Sequence, residues 1–150
     1  MMPAAYTLRR ALPGDGPVLA ALARLLWPEH AEEELREEFE QCVADDNAAC
    51  FLAMQGDEPV GFAHCQLRHD YVEGTKSSPV GYLEGIYVTD AHRGQGIAAL
   101  LLNACQSWAR ARGCREFASD CELHNTDSLR FHLSVGFEEA NRIICFRKDI

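Results

Sequence analysis

The most constraining feature of the chain is a strand, a glycine turn and a helix in direct succession between residues 82 and 112. Residues 82–88 form an apolar run rich in β-branched and aromatic side chains, which predicts a buried strand. Helical spacing of apolar residues begins only after Gly96. Gly94 and Gly96 allow a sharp turn, and the helix adds free N-terminal amides and the positive end of its dipole. This order predicts a site for a phosphate-bearing ligand.

The turn does not follow the common nucleotide-binding patterns. No lysine follows Gly96, as a P-loop requires, and Leu100 and Leu101 fill the region where a dinucleotide-binding turn has its third glycine. The pattern that is present is Arg-x-x-Gly-x-Gly/Ala, formed by Arg93, Gly96 and Ala98. Taken alone, such a turn could also be a plain strand-to-helix connection.

Length and charge limit the class of protein. With 150 residues, 47% of them hydrophobic and 25% charged, the chain predicts a single globular domain over residues 1–150. The formal net charge of -9 disfavours nucleic acid and anionic membranes as partners and favours a cationic one. No segment has the length of a membrane span or the layout of a signal peptide, so we expect a cytoplasmic protein.

The cysteines predict reduced thiols and no metal site. There are seven, and none forms a Cys-x-x-Cys pair. An odd, scattered set is typical of buried apolar positions in a reducing compartment.

The hydrophobic pattern predicts an α/β domain with a mixed sheet. The expected elements are a strand at 6–9, a helix capped by Asp15 and ending near Trp27, a helix at 31–44, strands at 49–54, 60–68 and 82–88, a helix at 96–112, a strand at 116–121, a helix from Asn125 to Val135, and a closing strand at 143–147.

A second motif follows the first by about 30 residues. It reads Asn125-x-x-Ser128-x-x-Phe131-His132-x-x-x-Gly136-Phe137. The two motifs together resemble the GCN5-related N-acetyltransferase (GNAT) superfamily. The resemblance implies a mixed, mostly antiparallel sheet with splayed middle strands and about four helices. It also implies that acetyl-CoA binds along Ile86, Tyr87, Val88, Arg93, Gly94, Gln95, Gly96, Ile97, Ala98, Ala99 and Asn125.

Further segments narrow the resemblance. They are Leu26-Trp-Pro-x-His30, Arg68-His-Asp-Tyr-Val72 with Ser77-Ser-Pro-Val80, Leu83-Glu-Gly-Ile86, Gly113-Cys-Arg-Glu116, Ala118-Ser-Asp120 and Gly136-Phe-Glu-Glu139. In these segments the chain is similar to the small, dimer-forming type I aminoglycoside 6′-N-acetyltransferases. The resemblance implies a resistance-type enzyme, a cationic aminosugar substrate and a homodimer.

Acetyl transfer to an amine needs the free base, so a carboxylate that binds the cation and takes its proton is useful. Glu84 interrupts an apolar strand beside Gly85, which suggests a bulge that turns its side chain into a cleft. Asp120 ends the next strand, where α/β clefts commonly open. Each could instead be a buried ion-pair partner or a helix cap.

His132 stands where many GNAT members carry a tyrosine that protonates the departing thiolate. A histidine is able to donate a proton near neutral pH, although it could simply pack between helix and sheet. Direct transfer in a ternary complex is expected, because Cys121 lacks an obvious activating base.

The remaining substrate contacts are expected from Trp27, His30 and Tyr71, with Glu84 and Asp120. The glutamate-rich stretch from Glu29 to Glu40 could line the cleft or form a solvated helix face. Two other functions remain open: acetylation of a protein amino group or a polyamine, and non-catalytic sensing of acyl-CoA.

Overall fold

Five strands form one sheet in the order β1-β2-β3-β4-β5 in the computed structural model, which describes residues 5–150. Neighbouring strands are antiparallel except β4 and β5, which are parallel. In chain order the elements are β1 (Thr7–Arg10), α1 (Gly16–Leu26), α2 (Glu32–Ala44), β2 (Ala48–Gln55), β3 (Glu58–Arg68), β4 (Val80–Val88), a 3₁₀ turn (Asp90–His92), α3 (Ile97–Ala111), β5 (Phe117–Ala118) and α4 (Thr126–Ser134). The prediction of a mixed, mostly antiparallel sheet with four helices is confirmed.

Helices cover both faces of the sheet, which explains why its central strands are nearly continuous apolar runs. On one face, α1 and α2 pack against alternate residues of β2 and β3, with Leu19, Phe39 and Phe62 at the centre. On the other face, α3 buries Leu101 and Trp108 against the intervening residues. α4 adds half-buried Phe131 and Val135 to that second face.

β4 and β5 separate soon after they meet. They pair only at Gly81 with Phe117 and at Tyr82 with Ala118. From Leu83 onward, no strand among the described residues pairs with this edge of β4. The predicted splay of the middle strands is therefore present, and backbone groups along the open edge remain available to a ligand.

A bulge interrupts β4 at Glu84. Leu83 faces Cys65 and Gly85 faces His64, so Glu84 is the extra residue between two consecutive residues of β3. An extra residue bends the strand and turns its side chain away from the regular ladder. This is the bulge that the Glu84-Gly85 sequence predicts.

Two predicted helix caps have different outcomes. The Asn125 side chain accepts a hydrogen bond from the Ser128 amide at 3.0 Å, which confirms it as the cap of α4. Asp15 occupies the N-cap position of α1, as predicted, but its side chain makes no capping hydrogen bond, because its carboxylate accepts from Arg9 and from the Leu12 amide. The free amide of Gly16 at the start of α1 is instead bound by Glu40 of α2, at 2.8 Å.

The end of the chain differs from the prediction. β5 is two residues long and not six, because β4 diverges and leaves the following residues without a neighbour. The closing strand at 143–147 is also wrong, since residues 138–150 have no regular secondary structure. Ile143, Ile144 and Phe146 are all strongly exposed there, so the apolar pattern that predicted a strand has no partner within the described chain.

Candidate active site

An acidic cavity lies between the sheet and helices α1 and α2. Its volume is about 230 Å³, and it is lined by Trp27, His30, Leu35, Glu38, Phe39, Cys42, His64 and Glu84. Burial raises the pKa of the Cys42 thiol, which therefore stays neutral. The cavity combines an aromatic wall with two carboxylates, a combination suited to a cation that carries apolar ring surface.

Trp27 follows α1 and forms the aromatic wall. Its ring lies edge-on to Phe62 below it and to His30 at the rim, with ring centroids 6.4 Å and 6.3 Å away. The six-membered part of the indole lies over Gly85, where a side-chain carbon would stand 2.5 Å from its Cη2. Gly85 is therefore required beside the bulge so that the tryptophan can approach the strand.

Arg68 connects the two predicted carboxylates. Its guanidinium donates to both oxygens of Glu84, at 3.0–3.3 Å, and lies over the ring of Tyr82, with Cζ 3.4 Å from the ring centroid. The Tyr82 hydroxyl in turn donates to Asp120. Burial and this hydrogen bond raise the pKa of Tyr82, so the phenol keeps its proton at neutral pH.

His64 of β3 is the second histidine of the acidic cavity. Its ring lies edge-on to Phe39, and its buried Nε2 atom has no hydrogen-bond partner in the described chain. Burial lowers the pKa of His64 to about 4. The ring is therefore neutral near pH 7, and its Nε2 is a buried polar atom, without a partner among the described residues, in a residue that lines the cavity.

A second cavity, of about 260 Å³, opens at the start of α3. It is lined by Val88, His92, Arg93, Gly94, Gly96, Ile97, Ala98, Ala99, Phe131, Ser134 and Val135. Gly94 and Gly96 both have φ of 78°, a left-handed conformation that favours glycine. Side-chain carbons at these two positions would meet nothing within 4 Å, so the space beside the turn is open to a ligand.

The residues around the Gly94–Gly96 turn make different contacts. The Arg93 Nε donates to the Val88 carbonyl at 2.9 Å and its Nη1 lies 2.7 Å from Asp90, which fixes the end of β4. The first amides of α3 lack a helical acceptor and face the same end of the helix. His92, which the sequence did not single out, joins the lining and is held by the Tyr6 hydroxyl at 2.7 Å.

His132 of α4 lies beside the place where β4 and β5 separate. Its Nδ1 is 2.7 Å from the Ser128 carbonyl, an acceptor, so Nδ1 carries the proton and donates. In the neutral ring Nε2 then accepts from the Ser119 hydroxyl at 2.8 Å. The Ser119 Oγ is also 3.5 Å from the Leu83 carbonyl, which places it between the two strands.

The structure brings together some of the predicted site residues and separates others. Trp27, His30 and Glu84 share the acidic cavity, while Val88, Arg93, Gly94, Gly96, Ile97, Ala98 and Ala99 share the second one. Ile86, Tyr87 and Gln95 lie next to the second cavity in sequence but do not line it. Asp120 reaches Glu84 only through Tyr82 and Arg68, and Tyr71 is 76% exposed in the loop before β4.

Sequence reasoning missed Arg68, Tyr82 and Ser119. Two signals were available. Tyr82 and Glu84 are two residues apart on one strand and so point to the same face, and Ser119 directly precedes Asp120. Arg68 could be recognised only once the register placed the end of β3 beside the start of β4.

Comparison with known proteins agrees with this geometry. The profile of the acetyltransferase (GNAT) family matches residues 18–137, which include both cavities. The chain belongs to this family.

Several known enzymes are similar to the chain over most of its length. Aminoglycoside N(6′)-acetyltransferase type 1 of Stenotrophomonas maltophilia is 47% identical, and the match covers 100% of this chain and 97% of that enzyme. The enzyme of the same name from Salmonella typhimurium is 43% identical over 85% of this chain and 88% of its own.

Solved structures are similar as well. AAC(6′)-Iy in complex with the bisubstrate analog CoA-S-monomethyl-acetylneamine has a TM-score of 0.92 at 39% identity, covering 97% of this chain and 99% of the other. AAC(6′)-Iy in complex with CoA has a TM-score of 0.93 at 39% identity, covering 97% and 95%.

Two further findings concern metal and membrane. Across residues 5–150, His, Cys, Asp and Glu form no group of three or more that could hold a metal ion. Within the same range, no helix is both long and apolar enough to cross a bilayer.

Proposed function

We propose that the protein is an aminoglycoside 6′-N-acetyltransferase that moves the acetyl group of acetyl-CoA to the 6′-amine in a ternary complex. One observation carries the proposal: β4 contributes Glu84 to an acidic, aromatic cavity and Val88 to the cavity of the glycine turn. Val88 lies four positions after Glu84, a distance of about 13 Å along the strand. A single strand can therefore hold an amine and an activated acyl group in register.

The proposed binding site for acetyl-CoA consists of the glycine turn and the open edge of β4. The diphosphate of acetyl-CoA would lie on the amides of residues 93–99, at the positive end of α3. Its pantetheine arm would follow Ile86–Val88, where β5 has diverged and leaves backbone groups free. Relatives that carry CoA and a CoA bisubstrate analog in their structures support this assignment.

The proposal that the acidic cavity binds the amine substrate rests on its negative charge and its aromatic surface. Glu84 and Glu38 line the cavity, and exposed Glu33 and Glu34 continue the negative surface along α2. Such a field attracts a polycation, and Trp27 offers a face for a sugar ring or an amine. Glu84 and Asp120 are the proposed groups that bind the ammonium and take its proton, directly or through water.

The reaction then needs a proton at the leaving thiolate. The free amine attacks the thioester carbon, the C–N bond forms, the C–S bond breaks, and the new amide nitrogen loses its extra proton to water. We assign the proton to protonated His132, whose Nε2 contacts Ser119 Oγ. Ser119 can pass its own proton to the sulfur and receive one from Nε2, so His132 acts through this hydroxyl.

A matched pair of substrates tests the proposed function. The two aminoglycosides should be identical except that one has a hydroxyl in place of the 6′-amine. We expect acetyl-CoA-dependent thiol release with the 6′-amine compound, with one acetyl group added at that nitrogen. Equal turnover of the 6′-hydroxyl compound, or acetylation at another nitrogen, contradicts the assignment.

The same assay decides between the competing functions. Faster turnover of polyamines or of peptide amino groups than of aminoglycosides indicates a GNAT enzyme with another substrate. CoA binding without thiol release for any amine indicates an acyl-CoA sensor.

Alanine substitutions test the two carboxylates. Glu84→Ala and Asp120→Ala should each lower amine turnover more than CoA affinity, because both lie away from the glycine turn. Asp127→Ala is a matched control, since this acid is exposed and outside both cavities. Normal turnover in either site variant removes that residue from the mechanism.

We also propose that the chain acts as a single catalytic domain in a cytoplasmic homodimer. Seven free cysteines suit a reducing compartment. For the dimer, the support is the end of the chain, where Ile143, Ile144 and Phe146 expose apolar surface that a second copy could cover. A monomer in sedimentation experiments, with Ile144→Arg indistinguishable from wild type, contradicts the dimer.

A further inference from the structure

Arg68 contacts Glu84 directly and is linked to Asp120 through Tyr82. It donates three hydrogen bonds to Glu84, and it covers the ring of Tyr82, whose hydroxyl binds Asp120. Arg68 ends β3, while Glu84 and Tyr82 lie two residues apart on β4. The bulge leaves Glu84 without a partner residue on β3, so its direction depends on its side-chain contacts.

We propose that Arg68 is a positioning residue that clamps Glu84 in the direction required for amine binding and proton removal. The proposal rests on the function proposed above, in which Glu84 meets the ammonium group. Arg68 acts through Glu84 and does not itself contact the reacting atoms.

The guanidinium has two properties that the clamp uses. Its fork reaches both carboxylate oxygens together, which fixes the plane of the carboxylate as well as its position. Its flat face packs on the phenol of Tyr82, so the guanidinium is itself held in orientation. A lysine provides neither the fork nor the planar face, and a charge-conserving substitution should therefore fail to replace it.

The contact between Arg68 and Glu84 also lies among several carboxylates of the amine site. Glu84 and Glu38 line the cavity, and Asp120 lies on the far side of Tyr82. Arg68 is the cation in contact with Glu84, and the Glu84 side chain is 20% exposed. A carboxylate left free at the bulge could rotate among several directions, of which only some face the substrate nitrogen.

A double-mutant cycle tests the proposal. Steady-state kcat and KM are measured for wild type, Arg68→Met, Arg68→Lys, Glu84→Ala and the Arg68→Met/Glu84→Ala double variant, using the best amine substrate of the wild type. We expect Arg68→Met and Arg68→Lys each to lower kcat about tenfold or more, with KM for acetyl-CoA within about twofold. In the Glu84→Ala background, Arg68→Met should change kcat by less than about twofold, because the clamped group is gone.

The chain offers a close control. Arg9 forms a forked pair with Asp15 at 2.7 and 2.9 Å, and its side-chain exposure of 41% nearly equals the 39% of Arg68. Arg9→Met removes an ion pair of the same kind away from the site, so it should leave kcat within about twofold. Thermal unfolding of all variants identifies any that lose activity through instability.

The outcomes separate the two proposals. An unchanged kcat in Arg68→Met, full rescue by lysine, or an equal loss with and without Glu84 overturns the clamp. If the wild type prefers an amine other than an aminoglycoside, only the substrate assignment fails, and the cycle is completed with that amine. A wild type that acetylates no amine overturns both.

Discussion

The indole of Trp27 lies directly on the backbone of Gly85. An added methyl group at Gly85 would stand 2.5 Å from Cη2 and 3.0 Å from Cζ2 of the ring, closer than packed carbon atoms approach. Gly85→Ala should therefore tilt the indole into the amine cavity. We expect KM for the aminoglycoside to rise about tenfold while the Kd for CoA stays within about twofold.

A second substitution checks the cause. Gly85 lies outside the left-handed region, so alanine brings no backbone strain there. Combining Gly85→Ala with Trp27→Phe removes the atoms that clash and should restore much of the affinity relative to Gly85→Ala alone. An unchanged KM in the single variant contradicts the contribution of this contact to the amine site.

Gly96 tests the cosubstrate site. Gly96→Leu forces a left-handed residue, at a cost of about 1–2 kcal/mol, and puts a side chain into the space beside the turn. CoA affinity measured by calorimetry should fall about tenfold or more, corresponding to about 1.4 kcal/mol.

Gly113 is the matched control for this prediction. It has φ of 89°, open space around it and a position at the far end of α3. Gly113→Leu should show similar destabilisation with unchanged CoA affinity. Equal CoA binding by both variants contradicts the placement of the diphosphate.

His132 and Ser119 should act as one unit in thiolate protonation. His132→Ala should lower kcat about 10²-fold with little change in either KM, and Ser119→Ala should lower it comparably. The double variant should be no worse than the more damaged single variant, because both substitutions break the same path. Exposed His124→Ala is the control. Additive losses would instead indicate independent roles.

Local patterns predicted the elements because their signals lie within the elements themselves. Gly94, Gly96 and Asn125 mark where helices begin, and the Glu84-Gly85 step marks the bulge, so these features needed no knowledge of distant residues. The predicted closing strand was wrong because its formation depends on residues outside the strand itself. The short apolar run at 143–147 becomes a strand only where another strand lies beside it, and the described chain provides none.

Only part of the amine site was predictable, because some of its residues have a local sequence signal and others meet only in the folded sheet. Glu84 was recognisable as a charge inside an apolar strand. Its partner Arg68 lies 16 residues away and meets it only through the register of β3 and β4. Asp120 and Tyr82 are 38 residues apart and meet where β5 returns beside β4. Such long-range pairs follow from topology and not from a sequence pattern.

Burial of His64 makes stability depend on pH. Its folded-state pKa of about 4 lies below the unfolded value of 6.5, so between these values the unfolded chain binds more protons. The contribution of His64 to the free energy of unfolding is therefore fully present above pH 6.5 and is lost as the pH falls toward 4. Between pH 7 and pH 5 the expected loss is about 2 kcal/mol.

Urea unfolding at both pH values measures this effect. His64→Gln should reduce the difference in unfolding free energy between pH 7 and pH 5 by about that amount. His69→Gln, at an exposed histidine on the same segment, should leave the difference unchanged. A His64→Gln variant with the wild-type pH dependence contradicts a buried, neutral His64.

A crystal structure of the protein with CoA and a 6′-amino aminoglycoside tests the central claim most directly. We expect the diphosphate on the amides of residues 93–99, the pantetheine along the open edge of β4, and the 6′-nitrogen within hydrogen-bonding distance of Glu84 or of a water bound to it. A diphosphate bound away from the glycine turn, or an aminosugar outside the cavity of Trp27 and Glu84, would contradict it.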